Sequence, residues 1–391
     1  MAVLLSSIYN RLKYEDGQQI KLIAGEKGIN NVVKWVHIVE INELTSFLEG
    51  NELIFITGMA IKNEIDLIEL VKKIFETKAS GLVINIGPYI EKIPDSVIEF
   101  CNKRDFPLFE VPWQVYLGKT MKICAEEINR AEQRDLEISA AIQNAIFNYD
   151  NHNLYVPILE KYGFLQDFHY CVALITYISE SDKDISKFVK DICSNIENSL
   201  TFYSVYAKAF PMGNNIVVLF INQTDSNIYE ISENIKQRFF VYNRDDIKVY
   251  MGIGRNTKSV RCIYKSYNIA HKVMELQKKK YRSNEIMSYR NMGFSKIFLA
   301  MDDNEIMREY YSDVLEPLVQ YDNLNNTGFT EFLSIYFECG SSVKETADKL
   351  YLHRNSVNYK LSKIQDILGC DLSDFNVKTE LLIALKLKEI L

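Results

Sequence analysis

Seven residues near the C-terminus have side chains suited to nucleic acid: Arg354, Asn355, Ser356, Asn358, Tyr359, Lys360 and Lys363. Arg matches the acceptor edge of guanine and Asn that of adenine, while Lys, Ser and Tyr suit phosphate oxygens. Between Lys349 and Lys363 there are four basic residues and no acidic one. Val357, Leu361, Ile364 and Leu368 recur at helical spacing on the other side of the same stretch, which predicts a helix from about Arg354 to Leu368. Upstream, Ser342 and Glu345 have capping-box spacing at the head of a helix over Val343–Leu350. Tyr351, Leu352 and His353 make a short turn, with His353 fixing it, and Ala347 is small where two helices must cross. Helix, short turn and helix with one continuous apolar face form the pattern of a helix-turn-helix, whose second helix enters the major groove of double-stranded DNA. A helical hairpin with a solvated polar face is the bland alternative.

Other chemistry-bearing residues are weaker. The seven cysteines are scattered without Cys-x-x-Cys, which predicts reduced, packed thiols and no zinc site. The five histidines show no ligand spacing, so no metal or cofactor is expected. Gly118-Lys119-Thr120 imitates the end of a phosphate-binding loop, but Trp113 stands where its first glycine must be. Gly252-Ile253-Gly254 ends a strand and reads as a turn. No nucleophile, base and acid set is recognisable. A catalytic N-terminal α/β domain with an accessory binding module is the rival to a DNA-binding regulator. A turnover screen separates the two, since a regulator binds its ligand without converting it.

These side chains must be positioned by a multidomain α/β and α+β chain of 391 residues, 47% hydrophobic and 25% charged. Residues 1–116 alternate strand-like runs (32–39, 52–57, 82–86) with helical ones (64–78, 95–103), which predicts an α/β domain. In such sheets ligands sit beyond the carboxyl ends of strands, which nominates His37, Glu40, Thr57, Gly58 and Trp113 for a small-molecule effector; packing or turn geometry is the alternative for each. Residues 117–149 form a long helix with an apolar seam broken only by Asp135. That helix either pairs with its copy in a homodimer or higher homo-oligomer, or packs on its own domain. Residues 150–290 read as an α+β domain, with strands over 170–178, 202–210, 215–221 and 247–253, and helices over 184–198, 226–240 and 260–277. Residues 291–391 are helical, with 323–328 a linker before the last domain. No apolar run approaches the ~18 residues of a membrane span, and Met1–Leu5 lacks the cationic start of a signal peptide, so a cytoplasmic location is expected. A net charge of −7 does not argue against DNA, because only the surface facing the phosphates must be positive.

The run from Val343 to Val357 resembles the C-terminal helix-turn-helix of PucR-type regulators, where Leu-Tyr-x-His-Arg-Asn-[Ser/Thr] is distinctive. Pro317-Leu318-Val319-Gln320-Tyr321-Asp322 and Leu368-Gly369-Cys370-Asp371-Leu372 resemble the same family. Asn31-Val32-Val33-Lys34-Trp35-Val36-His37, Asn51 to Gly58 and Phe106 to Pro112 look like its N-terminal effector domain. The resemblance implies a ligand-responsive transcription regulator, with purine-catabolite sensing one of several effector classes. It also implies a GGDEF-like middle domain. The hairpin Pro211-Met212-Gly213-Asn214-Asn215 has no carboxylate for the metal ions of a cyclase, so this domain reads as non-catalytic. Where the family often has Arg-Tyr-Arg-Leu, this chain has Asn358-Tyr359-Lys360-Leu361, which lowers the charge of its DNA contacts.

Overall fold

The computed structural model describes residues 3–15, 19–179, 185–203, 205–240, 247–279, 283–301 and 304–391. Met1 and Ala2, part of the signal-peptide argument, and Asp184, the expected start of a helix, lie outside them. The N-terminal elements are β1 (Val3–Leu4), α1 (Leu5–Glu15), β2 (Lys21–Ala24), β3 (Val32–Val33), β4 (Trp35–Ile38), β5 (Glu52–Ile56), α2 (Glu64–Glu76), β6 (Gly81–Ile86), α3 (Asp95–Lys103), β7 (Leu108–Pro112), α4 (Leu117–Phe147) and α5 (Val156–Lys161). Then follow β8 (Tyr170–Ser179), α6 (Ser186–Phe202), β9 (Ala207–Met212), β10 (Asn215–Ile221), α7 (Asp225–Phe239), β11 (Ile247–Ile253), α8 (Ile263–Lys279) and β12 (Ile286–Ser288). The chain ends with α9 (Ser295–Ala300), α10 (Asn304–Asn325), α11 (Phe329–Glu338), α12 (Val343–Leu350), α13 (Arg354–Leu368) and α14 (Phe375–Ile390). Two compact units result: Met1–Tyr170 with Asp182–Thr224 and Thr257–Tyr264, and Cys171–Ser181 with Asp225–Asn256 and Lys265–Leu391.

In the first unit a five-stranded sheet has the order β2-β7-β6-β5-β4. β4 to β7 run parallel and β2 antiparallel to β7, so the sheet is mixed. Successive strand residues point to opposite faces, and both faces here are apolar, as a sheet covered on two sides requires. Ile54, Ile56, Leu82, Ile84 and Leu108 pack beneath α2 and α3 through Leu67, Leu70, Ile74 and Val97. Leu53, Phe55, Val83, Phe109 and Val111 face α1 and α4 through Leu5, Ile8, Leu12, Cys124 and Ile128. The expected strand over 32–39 divides into β3 and β4, and β3 pairs instead with β1.

The apolar seam of α4 is spent inside this unit. Cys124, Ile128, Ile138, Ile142 and Ala145 are buried, and the helix packs against α1 and α5. These five seam residues thus pack within the chain. Asp135, its polar break, meets a buried cation: Lys208 of β9 donates to Asp135 and to Glu197 of α6, the latter at 3.1 Å. Burial alone would raise Asp135, but the charge and hydrogen bond of Lys208 outweigh it and hold the carboxyl below its ordinary value. Glu197, more deeply buried, is raised by desolvation, while the two carboxylates overcome the burial of Lys208 and raise it. The expected strand over 202–210 is corrected here. Residue 202 closes α6, and β9 begins at Ala207 and pairs with β10 around Gly213, which takes φ 60°.

In the second unit β11 pairs antiparallel with β8 and parallel with β12. The Gly252-Ile253-Gly254 turn of the sequence reading is also corrected. A Cβ at Gly252 would lie 2.4 Å from the Ala270 carbonyl oxygen, and one at Gly254 2.1 Å from that of Ser266. The two glycines let α8 lie directly on the strand. The linker expected over 323–328 is helical in its first half: α10 continues to Asn325, leaving 326–328 as the connection, and contributes Leu315 and Leu318 to the core of the C-terminal helices. No helix among the described residues is long and apolar enough to cross a membrane.

Candidate nucleic-acid interface

Helices α10 to α14 share one core. Leu315 and Leu318 of α10, Phe332 and Leu333 of α11, Ala347 of α12, Val357, Leu361 and Ile364 of α13, and Leu381 and Ala384 of α14 are buried together. The head of α11 is held by Asp322 near the end of α10. Its carboxylate accepts from the Phe329 and Thr330 amides, both at 2.8 Å, and from the Thr327 and Thr330 hydroxyls at 2.6 and 2.7 Å. Burial would raise Asp322, but these hydrogen bonds outweigh it and leave the carboxyl below its ordinary value.

The two helices expected from the spacing form with the expected bounds. Ser342 Oγ accepts from the Glu345 amide at 3.3 Å, closing the start of α12. The end of α12 is sealed by the Leu352 amide donating to the Ala347 carbonyl at 2.9 Å, with Tyr351 in the left-handed region at φ 55°. His353 then caps α13, its Nδ1 accepting from the Asn355 amide at 3.3 Å. The turn thus consists of one strained residue, one residue packed on the core and one cap.

With Val357, Leu361 and Ile364 inward, the rest of α13 is fixed by 3.6 residues per turn. Asn355, Tyr359 and Ser362 run down the middle of the outward face. Arg354, Asn355, Ser356, Asn358 and Tyr359 are exposed, while Lys360 and Lys363 are half-buried. Arg354 and Lys360 lie on opposite flanks. The Lys360 ammonium rests over the rings of Phe329 and Phe332, 5.7 and 5.2 Å from their centroids, so part of its charge is engaged with α11. Lys363 lies 3.9 Å from Asp366, and Lys349 pairs with Glu338 at 2.8 Å. Ser362, on the same face, escaped the sequence reading because a serine between two helical lysines carries no signal of its own.

The effector candidates gather in part. Glu40 accepts from the Thr57 and Gly58 amides at 2.7 and 3.1 Å, so the segment after β4 holds the segment after β5. Gly58 takes φ 84°, and a Cβ there would meet the Ile90 side chain at 2.6 Å. Trp113, beyond β7, is 43% exposed and lies edge-on to Tyr89, with ring centroids 5.6 Å apart. His37 is exposed within β4, opposite Ile54. Burial pushes the Cys101, Cys171 and Cys193 thiols up to about 12, which leaves them inert at neutral pH.

Residues 11–128 match the Purine catabolism regulatory protein-like family, and residues 329–387 match the PucR C-terminal helix-turn-helix domain. The chain carries a PucR-family domain at each end. The second match begins at the first residue of α11 and takes in both helices of the turn. The chain is 25% identical to the Proline-responsive transcriptional activator PutR of Bacillus subtilis over 51% of its own length and 50% of that protein. It is 19% identical to the Purine catabolism regulatory protein of the same organism over 98% of its own length and 100% of the other. A third relative, the DNA-binding transcriptional activator AdeR, is 23% identical over 45% of this chain and 42% of its own. The matched part thus spans half or less of PutR and AdeR and the whole of the purine regulator. By name, two of these relatives are transcriptional activators and the third is a regulatory protein.

Proposed function

We propose that this PucR-type protein is a ligand-responsive transcription regulator that reads double-stranded operator DNA with the outward face of α13. The observation that supports it is the division of that helix, with Val357, Leu361 and Ile364 in the core and Arg354, Asn355, Ser356 and Tyr359 presented to solvent. The work takes place where the chromosome is, in the cytoplasm, and needs no catalytic activity. The effector enters at the carboxyl ends of β4, β5 and β7, among Glu40, Thr57, Gly58 and Trp113. The names of the relatives nominate purine catabolites and proline as the first compounds to test. A thermal-shift screen against the whole chain is the direct check, because a specific ligand stabilises the state it binds.

The DNA reading is tested with duplexes selected by the protein and with random duplexes across several salt concentrations. Arg354→Ala or Asn355→Ala lowers discrimination between the two by about 1–3 kcal/mol where the contact is bidentate. Lys363→Ala weakens both equally and reduces the salt slope by about one. If folded Arg354→Ala and Asn355→Ala proteins both keep wild-type affinity and discrimination, α13 is not the recognition helix.

A further inference from the structure

The second unit holds a cavity of about 340 Å³ that shares no residue with the recognition helix or with the Pro211–Asn215 hairpin. It opens at the carboxyl end of β11 and is lined by Arg255, by Tyr289 and Arg290 after β12, and by Lys296 on α9. Among the described residues the one carboxylate in its wall is that of Asp225, at the start of α7, which already accepts from Asn256 Nδ2 at 3.3 Å. Three cations around so small a space stand out in a chain with net charge −7. None of the three forms an ion pair among the described residues. Arg290 donates to the Ser226 hydroxyl at 3.2 Å, and Lys296 lies 5.6 Å from the centre of the Tyr289 ring. Neither contact removes charge.

We propose that this cavity binds a small phosphate-bearing anion. Cations gathered around one space repel each other, and an anion among them relieves that repulsion. A phosphate matches the set better than a carboxylate does. It carries up to two negative charges against an excess of two positive ones, and three oxygens for two guanidinium forks and an ammonium. Free phosphate and a phosphate monoester share this chemistry, so both serve as probes. The site is independent of the DNA reading and does not use the N-terminal effector candidates.

The experiment is calorimetric titration of the whole chain at low salt with inorganic phosphate in one arm and glycerol 3-phosphate in the other. One saturable site per chain is expected in at least one arm, and the tighter arm identifies the source. Arg255→Gln with Arg290→Gln weakens that binding by about tenfold or more. Lys296→Gln alone weakens it less and serves as the second variant should the pair fail to fold by circular dichroism. The proposal is overturned if neither probe saturates by about 10 mM, or if a folded variant binds as tightly as the wild type.

Discussion

Removing the Asp322 carboxylate should loosen the C-terminal helices at a point outside α13. Asp322→Ala deletes the acceptor for the Phe329 and Thr330 amides and for the Thr330 hydroxyl, and Thr330 is only 6% exposed. A helix cap contributes about 0.5–2 kcal/mol, and a hydrogen bond to a charged acceptor about 1.5–3. Asp322 is itself partly exposed, so solvent screening brings the sum down to about 2–3 kcal/mol. In hydrogen exchange of the whole chain this is about a 30- to 150-fold faster exchange of the α11 amides, at a tenfold per 1.36 kcal/mol. Asp322→Asn keeps one acceptor oxygen and should fall between. The pH dependence follows from the direction of the shift. A carboxyl held below its ordinary value contributes fully above the ordinary 3.8 and loses the contribution as pH falls through the depressed value. The gap between wild type and Asp322→Ala is therefore constant from pH 5 upward and closes only in strong acid. Unchanged α11 exchange in Asp322→Ala at neutral pH would refute the assignment of Asp322 as the cap.

Lys208→Met leaves Asp135 and Glu197 without their shared cation in a site where the lysine side chain is 3% exposed, so a loss of about 3–5 kcal/mol is expected by chemical denaturation. Lys208 is held above its ordinary value, so its contribution persists through neutral pH and fades only as pH rises through that raised value; an unchanged denaturation midpoint would count against the buried triad. Tyr351→Gly relieves a left-handed residue and should raise stability by about 1 kcal/mol. The Tyr351 ring is 96% exposed in the helix-helix turn, so the same variant should bind operator more weakly if the ring reaches the DNA. A stability gain without loss of affinity would assign the tyrosine no part in binding.

The parts of the fold that were readable from the sequence are those set by local periodicity. The bounds of α12 and α13 follow from a cap, a turn and an apolar repeat between Ser342 and Leu368, and β11 and α3 from runs of similar kind. The misreadings occur where a distant partner decides. Residues 323–325 have linker composition, yet they stay helical because α10 is held in the C-terminal core through Leu315 and Leu318 and because Asp322 is needed at the head of α11. Gly252 and Gly254 read as a turn because nothing local reveals that α8 lies 2.1 to 2.4 Å from where their Cβ atoms would be.

The same distinction applies to charge. Asp135 was visible as an interruption of an apolar seam, but its meaning lay in Lys208, 73 positions away, inside a strand whose neighbours are apolar. A charged residue at an inward position of a strand is expensive unless paired, so Lys208 was itself a signal that a carboxylate must approach it. Arg255, Arg290 and Lys296 gave no such signal, because none of them lies inside a strand. Only the return of the chain through β11, β12 and α9 brings them to one cavity. The proposed recognition face differs from that cavity because its whole set lies on one helix, where 3.6-residue periodicity suffices to separate Asn355 and Tyr359 from Val357 and Leu361. What periodicity could not rank was the lysines. Lys360 and Lys363 look equivalent in sequence, yet Lys360 finds two rings of α11 beneath its ammonium, while Lys363 lies 3.9 Å from Asp366 on its own helix.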